Sequence, residues 1–153
     1  MSGDITFTIS MPSDNDGYIL LQCEHCGSFF KITADDYNGD SIINLYCPTC
    51  GLISDNYFTK DVIELAETMV ENYAMDMIYN SFKSMERTTN HSTLRFKAGK
   101  KPNHKNENPI KSTIDTLEIK VFRCCSKTAK VKPLLKLTGC CCPFCGVRDY
   151  ETE

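Results

Sequence analysis

The sequence predicts a small α+β protein that is stabilised by bound metal, with two antiparallel β units joined by a long amphipathic helix and a basic linker. Two observations lead to this prediction. Most of the ten cysteines of the 153-residue chain fall into short groups near its two ends, and a long helical periodicity lies between those groups. The predicted segments are a first β unit over residues 1–58, the helix over 59–87, the linker over 88–113 and a second β unit over 114–153.

The first β unit begins with apolar residues at alternate positions, Ile5, Phe7 and Ile9. A turn-rich stretch, "PSDNDG", separates them from "YILLQ" at residues 18–22. Alternation on both sides of a turn that contains glycine predicts a β-hairpin. This hairpin would lead the chain directly to Cys23.

The cysteines of the first unit have the spacing Cys23-x2-Cys26-x20-Cys47-x2-Cys50. Zinc in structural sites is held by four tetrahedral ligands, and two C-x2-C turns brought together by a small sheet supply four thiolates. Gly27 and Gly51 follow the two turns and tolerate a positive φ. We therefore predict a zinc site made of these four cysteines. The alternative is four buried cysteines that bind no metal.

The predicted helix comes from the stretch "TKDVIELAETMVENYAMDMIYNSFKSMER". Its apolar residues recur at helical spacing and form a broad stripe. We expect the N-terminal end of the stripe (Val62, Ile63 and Ala66) to pack as core, and the C-terminal end to bind a partner through Ile78, Phe82 and Met85. The alternative is that the whole stripe is ordinary core.

The second group of cysteines, in residues 114–153, is less regular. Cys142-x2-Cys145 repeats the pattern of Cys47 and Cys50. Upstream, Cys124 and Cys125 are adjacent, and Lys127 stands where a second ligand would be expected. We predict that these four cysteines hold a second zinc ion, so that the chain binds two. Three alternatives stay open: another fourth ligand, a β unit without metal, or an iron–sulfur or redox role. The candidates for another fourth ligand are Cys140, Cys141, His91 and His104.

The knuckles "CEHCG" and "CPTCG" resemble those of the zinc ribbon superfamily, found in transcription factor IIB and in many small bacterial proteins. The resemblance covers roughly residues 5–58, and the second group of cysteines departs from the ribbon pattern. It implies a three-stranded antiparallel sheet that zinc holds together. Because ribbons bind DNA, RNA and proteins alike, it implies no particular function.

Charge is distributed unevenly along the chain, whose net charge is −3. Residues 1–80 contain 13 acids and 2 bases, whereas residues 81–136 contain 14 bases and 4 acids. A basic segment of this kind is one basis for nucleic-acid binding, although basic stretches more often lie in solvent and balance acidic ones. The cations that would contact phosphates in the linker are Arg95, Lys97, Lys100, Lys101 and Lys105.

Other features exclude whole classes of function. There is no apolar run long enough for a membrane span and no secretory signal, so we expect a cytoplasmic protein with reduced thiols. A four-cysteine zinc site is closed to water, and no catalytic motif or phosphate-binding loop is present, so we expect neither an enzyme nor a small-molecule substrate. The favoured hypothesis is an adaptor or accessory subunit that binds a protein partner or itself through the helix. The alternative is a DNA- or RNA-binding protein.

Overall fold

The computed structural model describes residues 3–111 and 114–150. The strands are β1 (Tyr18–Gln22), β2 (Phe29–Thr33), β3 (Glu118–Val121), β4 (Thr128–Val131), β5 (Cys140–Cys141) and β6 (Arg148–Asp149). The helices are α1 (Ala34–Asn38), α2 (Lys60–Thr89) and α3 (Pro133–Thr138). The chain forms two compact units. The cysteine unit contains Ser10–Lys60 and the residues from Ile110 onward, and the helical unit contains the residues up to Ile9 together with Asp61–Pro109.

The cysteine unit is built on one four-stranded sheet with the strand order β1-β2-β4-β3. All of its strand pairs are antiparallel, including the central pair of β2 and β4. This central pair joins the two predicted β units, which therefore share a sheet instead of standing at opposite ends of the helix and linker. The small antiparallel pair of β5 and β6 lies outside this sheet.

The cysteine unit contains two similar halves. Each half has two paired strands, a short helix and a second small pairing: α1 follows β2 as α3 follows β4. The bridge between Tyr46 and Ile53 in the first half corresponds to the pairing of Cys141 with Arg148 in the second. At the centre, Lys31 of β2 is paired with Lys130 of β4. These two lysines occupy equivalent places in their halves, so an approximate twofold axis passes between them.

The predicted hairpin at the start of the chain is wrong, because residues 5–9 form no strand and β1 pairs with β2 instead. The predicted turn is present: the Asp14 carboxylate accepts hydrogen bonds from the backbone N–H groups of Asp16 and Tyr18. The alternation of apolar residues identified β1 without identifying its partner strand. Phe7 packs against Tyr73 of α2, with ring centroids 5.6 Å apart.

The core of the cysteine unit combines sheet residues with cysteines from both groups. The largest fully buried apolar side chains are those of Leu21, Phe30, Ile32 and Val131 in the sheet and of Phe122, which directly follows β3. Four of the cysteines are equally buried, namely Cys23, Cys47, Cys140 and Cys142. Since thiols of the metal groups form part of this core, any metal that they bind contributes directly to the stability of the sheet.

The long helix is confirmed, and α2 continues two residues beyond the predicted end, to Thr89. Two of its side chains are buried, those of Val62 and Asn72. Ile63 is 41% exposed, so the expectation that it is a core residue is wrong. One helical step of about 100° separates these neighbours and places them on different sides of the helix.

The predicted linker is packed against α2, and one contact lies at Asn72. The Asn72 side chain donates to the Lys105 carbonyl at 3.0 Å and accepts from the Lys105 N–H at 2.8 Å. Both residues belong to the helical unit. Residues up to Pro109 therefore form part of that unit, whereas the sequence predicted a separate linker that ends at residue 113.

Candidate metal centres

The four cysteines of the first group converge. Their sulfur atoms lie within 4.8 Å of one another. The Sγ atoms of Cys23 and Cys50 are 3.7 Å apart, and those of Cys26 and Cys47 are 3.6 Å apart. Four sulfurs around a zinc ion at Zn–S distances of about 2.3 Å would be separated by about 3.8 Å in a tetrahedron. The geometry of the first group is thus compatible with a tetrahedral ion.

Two tight turns hold these cysteines. In the first turn the N–H of Cys23 donates to the Ser28 carbonyl, and the N–H of Gly27 donates back to the Cys23 carbonyl. The turn that begins at Cys47 repeats the pattern through Leu52 and Gly51. Gly27 and Gly51 have φ values of 71° and 73°, a conformation that favours glycine. The backbone therefore fixes both cysteines of each turn on the same side.

The second group also converges: the sulfurs of Cys124, Cys125, Cys142 and Cys145 lie within 4.8 Å of one another. Cys125 and Cys142 approach to 3.6 Å, and Cys124 and Cys125 to 4.0 Å. The turn at Cys142 has the same backbone hydrogen bonds as the one at Cys47. Adjacent cysteines can therefore both face one centre here, and a metal ion could be held by these four residues.

The turn that contains Cys124 and Cys125 departs from the sequence-based interpretation. Its backbone hydrogen bonds begin at Phe122, whose N–H donates to the Lys127 carbonyl, as the N–H of Cys23 donates to the Ser28 carbonyl. Phe122 thus occupies the first ligand position, and Cys125 occupies the second. Lys127 lies after the turn, so its assignment to a ligand position is wrong. Cys124, inside the turn, supplies the fourth sulfur.

The other candidates for the fourth ligand lie outside both cysteine groups. Cys140 is buried in the core. The Cys141 sulfur lies against Gly51, where an added Cβ would be 2.9 Å from it. His104 is paired through Nε2 with Asp76 at 2.9 Å. The structure therefore favours Cys124 over Cys140, Cys141, His91 and His104 as the fourth sulfur of the second group.

Burial affects the thiols unequally. It raises the pKa of Cys47 and of Cys142, the first cysteine in each C-P-x-C turn. Burial also tends to raise the pKa of Cys26, but hydrogen bonds to the side chain and backbone of Ser28 outweigh it and lower this pKa to about 7. Because metals bind thiolates, loading either centre would release protons, chiefly from the buried cysteines.

The donor set of both groups fits zinc. Four thiolates suit a soft or borderline metal, and with four protein ligands a tetrahedral site keeps no position for water. Bound zinc would supply structural stabilisation by holding together two turns in each half of the core. The residues that would hold it are Cys23, Cys26, Cys47 and Cys50 in one centre, and Cys124, Cys125, Cys142 and Cys145 in the other.

The two halves also meet at a charged cluster that sequence analysis did not identify. Lys31 and Lys130 are almost fully buried, and their ammonium groups lie 3.1 and 2.8 Å from the Asp14 carboxylate. Lys130 contacts Asp16 as well, at 2.6 Å. Burial tends to raise the pKa of Asp14, but the hydrogen bonds from Lys130, Tyr18 and Lys31 outweigh it and lower this pKa. The Asp14 carboxylate thus forms ion pairs with both of the lysines that lie at the approximate twofold axis.

The predicted partner-binding residues all lie exposed on α2: Ile78, Phe82 and Met85 are about half accessible. Phe82 packs on one side against Phe96, with ring centroids 5.7 Å apart. The expectation that this end of the helix contacts a partner stays a prediction.

The predicted phosphate-binding cations have different environments. Lys101 pairs with Asp76 at 3.2 Å, and Lys105 pairs with Glu71. These contacts use part of the positive charge of the segment to balance acidic residues of α2. For Arg95, Lys97 and Lys100 the binding of nucleic acid likewise stays a prediction.

The chain was compared with protein-family models, with curated proteins and with solved structures, and none of the three comparisons gives a match. None of the helices in the described part of the chain combines the length and the apolar character that a membrane-spanning helix requires.

Proposed function

We propose that this protein is a non-enzymatic, zinc-binding adaptor or accessory subunit that acts through protein–protein contacts of α2. Its two zinc ions would be structural and would complete the core of the cysteine unit, which would then be a paired zinc ribbon. Reduced thiols in a compartment such as the cytoplasm are part of the proposal, because oxidation of these cysteines would compete with metal binding.

The observation that carries the proposal is the exposure of the α2 apolar face. Val70, Met77, Ile78 and Met85 are each at least 50% exposed. Isolated apolar residues are common on protein surfaces, but a contiguous row along one helix is typical of an interaction site. The four-cysteine donor sets support the non-catalytic part of the proposal, since each leaves zinc no open position.

The experiment is a comparison of two charge-introducing variants of the full chain, Phe82→Glu and Asn80→Glu. Both positions are exposed on α2, but only Phe82 borders the apolar face. Zinc content and circular dichroism establish that each variant is folded, and pull-down from the native host followed by reconstitution with the purified partner measures binding. We expect Phe82→Glu alone to release the partner. Equal retention of the partner by both folded variants would contradict the proposal. The proposal would also be contradicted if Phe82→Glu unfolded the protein while the remaining folded fraction still bound the partner.

A further inference from the structure

One face of α2 carries six uncharged residues whose side chains are largely exposed. At about 100° per residue they fall within an arc of roughly 100°, and four of them are half exposed or more. We call them the α2 stripe: Val70, Ala74, Met77, Ile78, Ser81 and Met85. From the first to the last, the stripe extends over about 23 Å at 1.5 Å per residue.

Contacts within the helical unit border the stripe without covering it. On one side Tyr73 packs edge-on against Phe7, with an interplanar angle of 81°. On the other side Phe82 packs against Phe96. The opposite face of the helix holds the buried Asn72, which is fixed by the backbone of Lys105. The segments that flank α2 in sequence are thus used on its other faces, and the stripe is left for a different occupant.

The order of side-chain sizes in the stripe reads the same in both directions. Bulky Val70 and Met85 lie at the ends, small Ala74 and Ser81 lie inside them, and Met77 and Ile78 form the centre. A second α2 could run antiparallel to the first, with a twofold axis beside the Met77–Ile78 peptide. Bulky residues of the two copies would then meet at the ends and at the centre of the contact, and small residues would meet between them. A surface that matches its own image in this way suits an isologous contact between two copies.

The charges of α2 and its C-terminal extension favour the same direction. Residues 60–71 carry one base and four acids, which gives −3. Residues 83–97 carry four bases and one acid, which gives +3. An antiparallel pair places each acidic segment beside the basic segment of the other copy, whereas a parallel pair places like charges together.

We propose that the occupant of the α2 stripe is the α2 stripe of a second copy of this chain, in an antiparallel helix pair centred between Met77 and Ile78. This inference rests on the proposed function, since it identifies the protein partner of the same helix. The protein is then a dimer in which each copy contributes one cysteine unit with two metal centres. Since the stripe is short for a stable interface, the dimer forms in a concentration-dependent manner.

The first test is sedimentation equilibrium of the zinc-loaded full chain over a wide range of concentration. We expect a monomer–dimer equilibrium that Met77→Glu shifts to monomer and that Asn80→Glu, off the stripe, leaves unchanged. A wild-type chain that stays monomeric at every concentration overturns the inference. If that monomer still binds another protein through Phe82, the proposed adaptor function stands, and if it binds none, both fail.

The second test determines the direction of the helices by charge exchange between the ends of the stripe. Val70→Glu and Met85→Lys should each weaken the dimer when introduced alone. Combined in one chain, they should restore it, because an antiparallel pair places the new carboxylate of each copy opposite the new ammonium group of the other. In a parallel pair the double variant would bring like charges together. Failure of the double variant to recover dimer, with its zinc content intact, contradicts the antiparallel arrangement.

Discussion

Phe122 occupies in the second half of the cysteine unit the place that Cys23 occupies in the first. Both are fully buried, and both begin a turn closed by a backbone bond from the N–H of the fifth residue of that turn. Seven residues later the sizes are reversed: Phe30 faces the core in the first half and Ala129 in the second, each essentially without exposure. The second half thus has a phenyl ring at position 122, where the first half has a cysteine ligand. It has an alanine at position 129, where the first half has a phenyl ring.

This exchange of sizes predicts coupling between positions 122 and 129. Phe122→Cys creates a regular C-x2-C pair but removes a buried ring, and large-to-small core changes of this kind cost about 3–5 kcal/mol. Ala129→Phe alone overfills the core, at a cost of about 1–3 kcal/mol. The double variant has a phenyl ring at position 129, which is equivalent to that of Phe30 in the first half. It should be more stable than the sum of the two single changes implies.

The measurement is a double-mutant cycle from denaturant unfolding of the zinc-loaded proteins. Additive changes in the free energy of unfolding would show that positions 122 and 129 are energetically independent. The predicted coupling between them would then be wrong.

In the wild-type chain, the phenylalanine at position 122 also makes the two candidate metal centres unequal. Cys124 would bind a metal from inside its turn, where Ser126 has a φ of 58° at the place of glycine in the other three turns. A non-glycine residue in this conformation carries local strain. Cys124 and Cys145 are also exposed, whereas the first centre has one exposed ligand, Cys26. We therefore expect the second centre to release its metal first.

Titration with a chromophoric chelator checks this expectation. Two successive steps should appear, and Cys124→Ser should abolish the weaker step while leaving the stronger one intact. If Cys124→Ser leaves both steps unchanged, Cys124 is not a ligand. If Cys26→Ser removes the weaker step, the order of the centres is the reverse of that expected here.

The buried lysine pair predicts a large effect at Asp14. Asp14→Asn removes the carboxylate that serves Lys31 and Lys130, and loss of one partner from a buried ion pair costs about 3–5 kcal/mol. Asp16→Asn is the matched control, because the Asp16 side chain is 60% exposed and its carboxylate pairs with Lys130 at the surface. For an exposed pair the cost is about 0–1 kcal/mol.

Denaturant unfolding at neutral pH measures both variants. The native pKa of Asp14 is lowered, so this carboxylate contributes stability above the ordinary carboxyl range. That contribution decreases as the pH falls below this range toward the lowered native pKa. Neutral pH is therefore where the difference between Asp14→Asn and wild type is fully present. Equal effects of Asp14→Asn and Asp16→Asn would contradict the central role of Asp14.

The nucleic-acid hypothesis is tested by salt. If the basic segment neutralises phosphates, affinity for duplex DNA should fall as salt rises, with a log–log slope of about −0.9 for each contact. Changing Lys100, Lys101 and Lys105 together to Ala should flatten that slope. Because Lys101 and Lys105 are paired with carboxylates of α2, we expect little retention of the wild-type protein on a DNA column at low salt. Strong, salt-sensitive retention would favour the alternative function.

Local patterns predicted the local parts of this structure well. The spacing of Cys23, Cys26, Cys47 and Cys50 predicted one converging group, and the periodicity of residues 60–87 predicted α2. Both signals are local because a turn of four residues or a helical face is determined by neighbours in sequence. The second group was predicted as a set of residues, but its geometry was not, since Phe122 does not resemble a ligand in the sequence.

Relationships between distant segments were less accessible. The pairing of β2 with β4 joins residues about one hundred positions apart, and nothing in either strand specifies the other. The burial of Lys31 and Lys130 could not be read from their type, because lysines are rarely buried unless paired. The repeat of a strand, a cysteine turn and C-P-x-C-G was the one available signal. Two similar β units of this kind can pair symmetrically, and that would have suggested a shared sheet.

Zinc binding is measured by elemental analysis of the full chain purified without chelator. We expect about two zinc ions per chain for the wild-type protein and about one for Cys142→Ser. Since binding energy at a structural zinc site is folding energy, on the order of 10 kcal/mol in small zinc domains, Cys47→Ser should destabilise the protein far more than Cys140→Ser. A content near one in the wild-type protein would show that the Cys124–Cys145 centre is not a zinc site, and a content near zero would contradict the account as a whole.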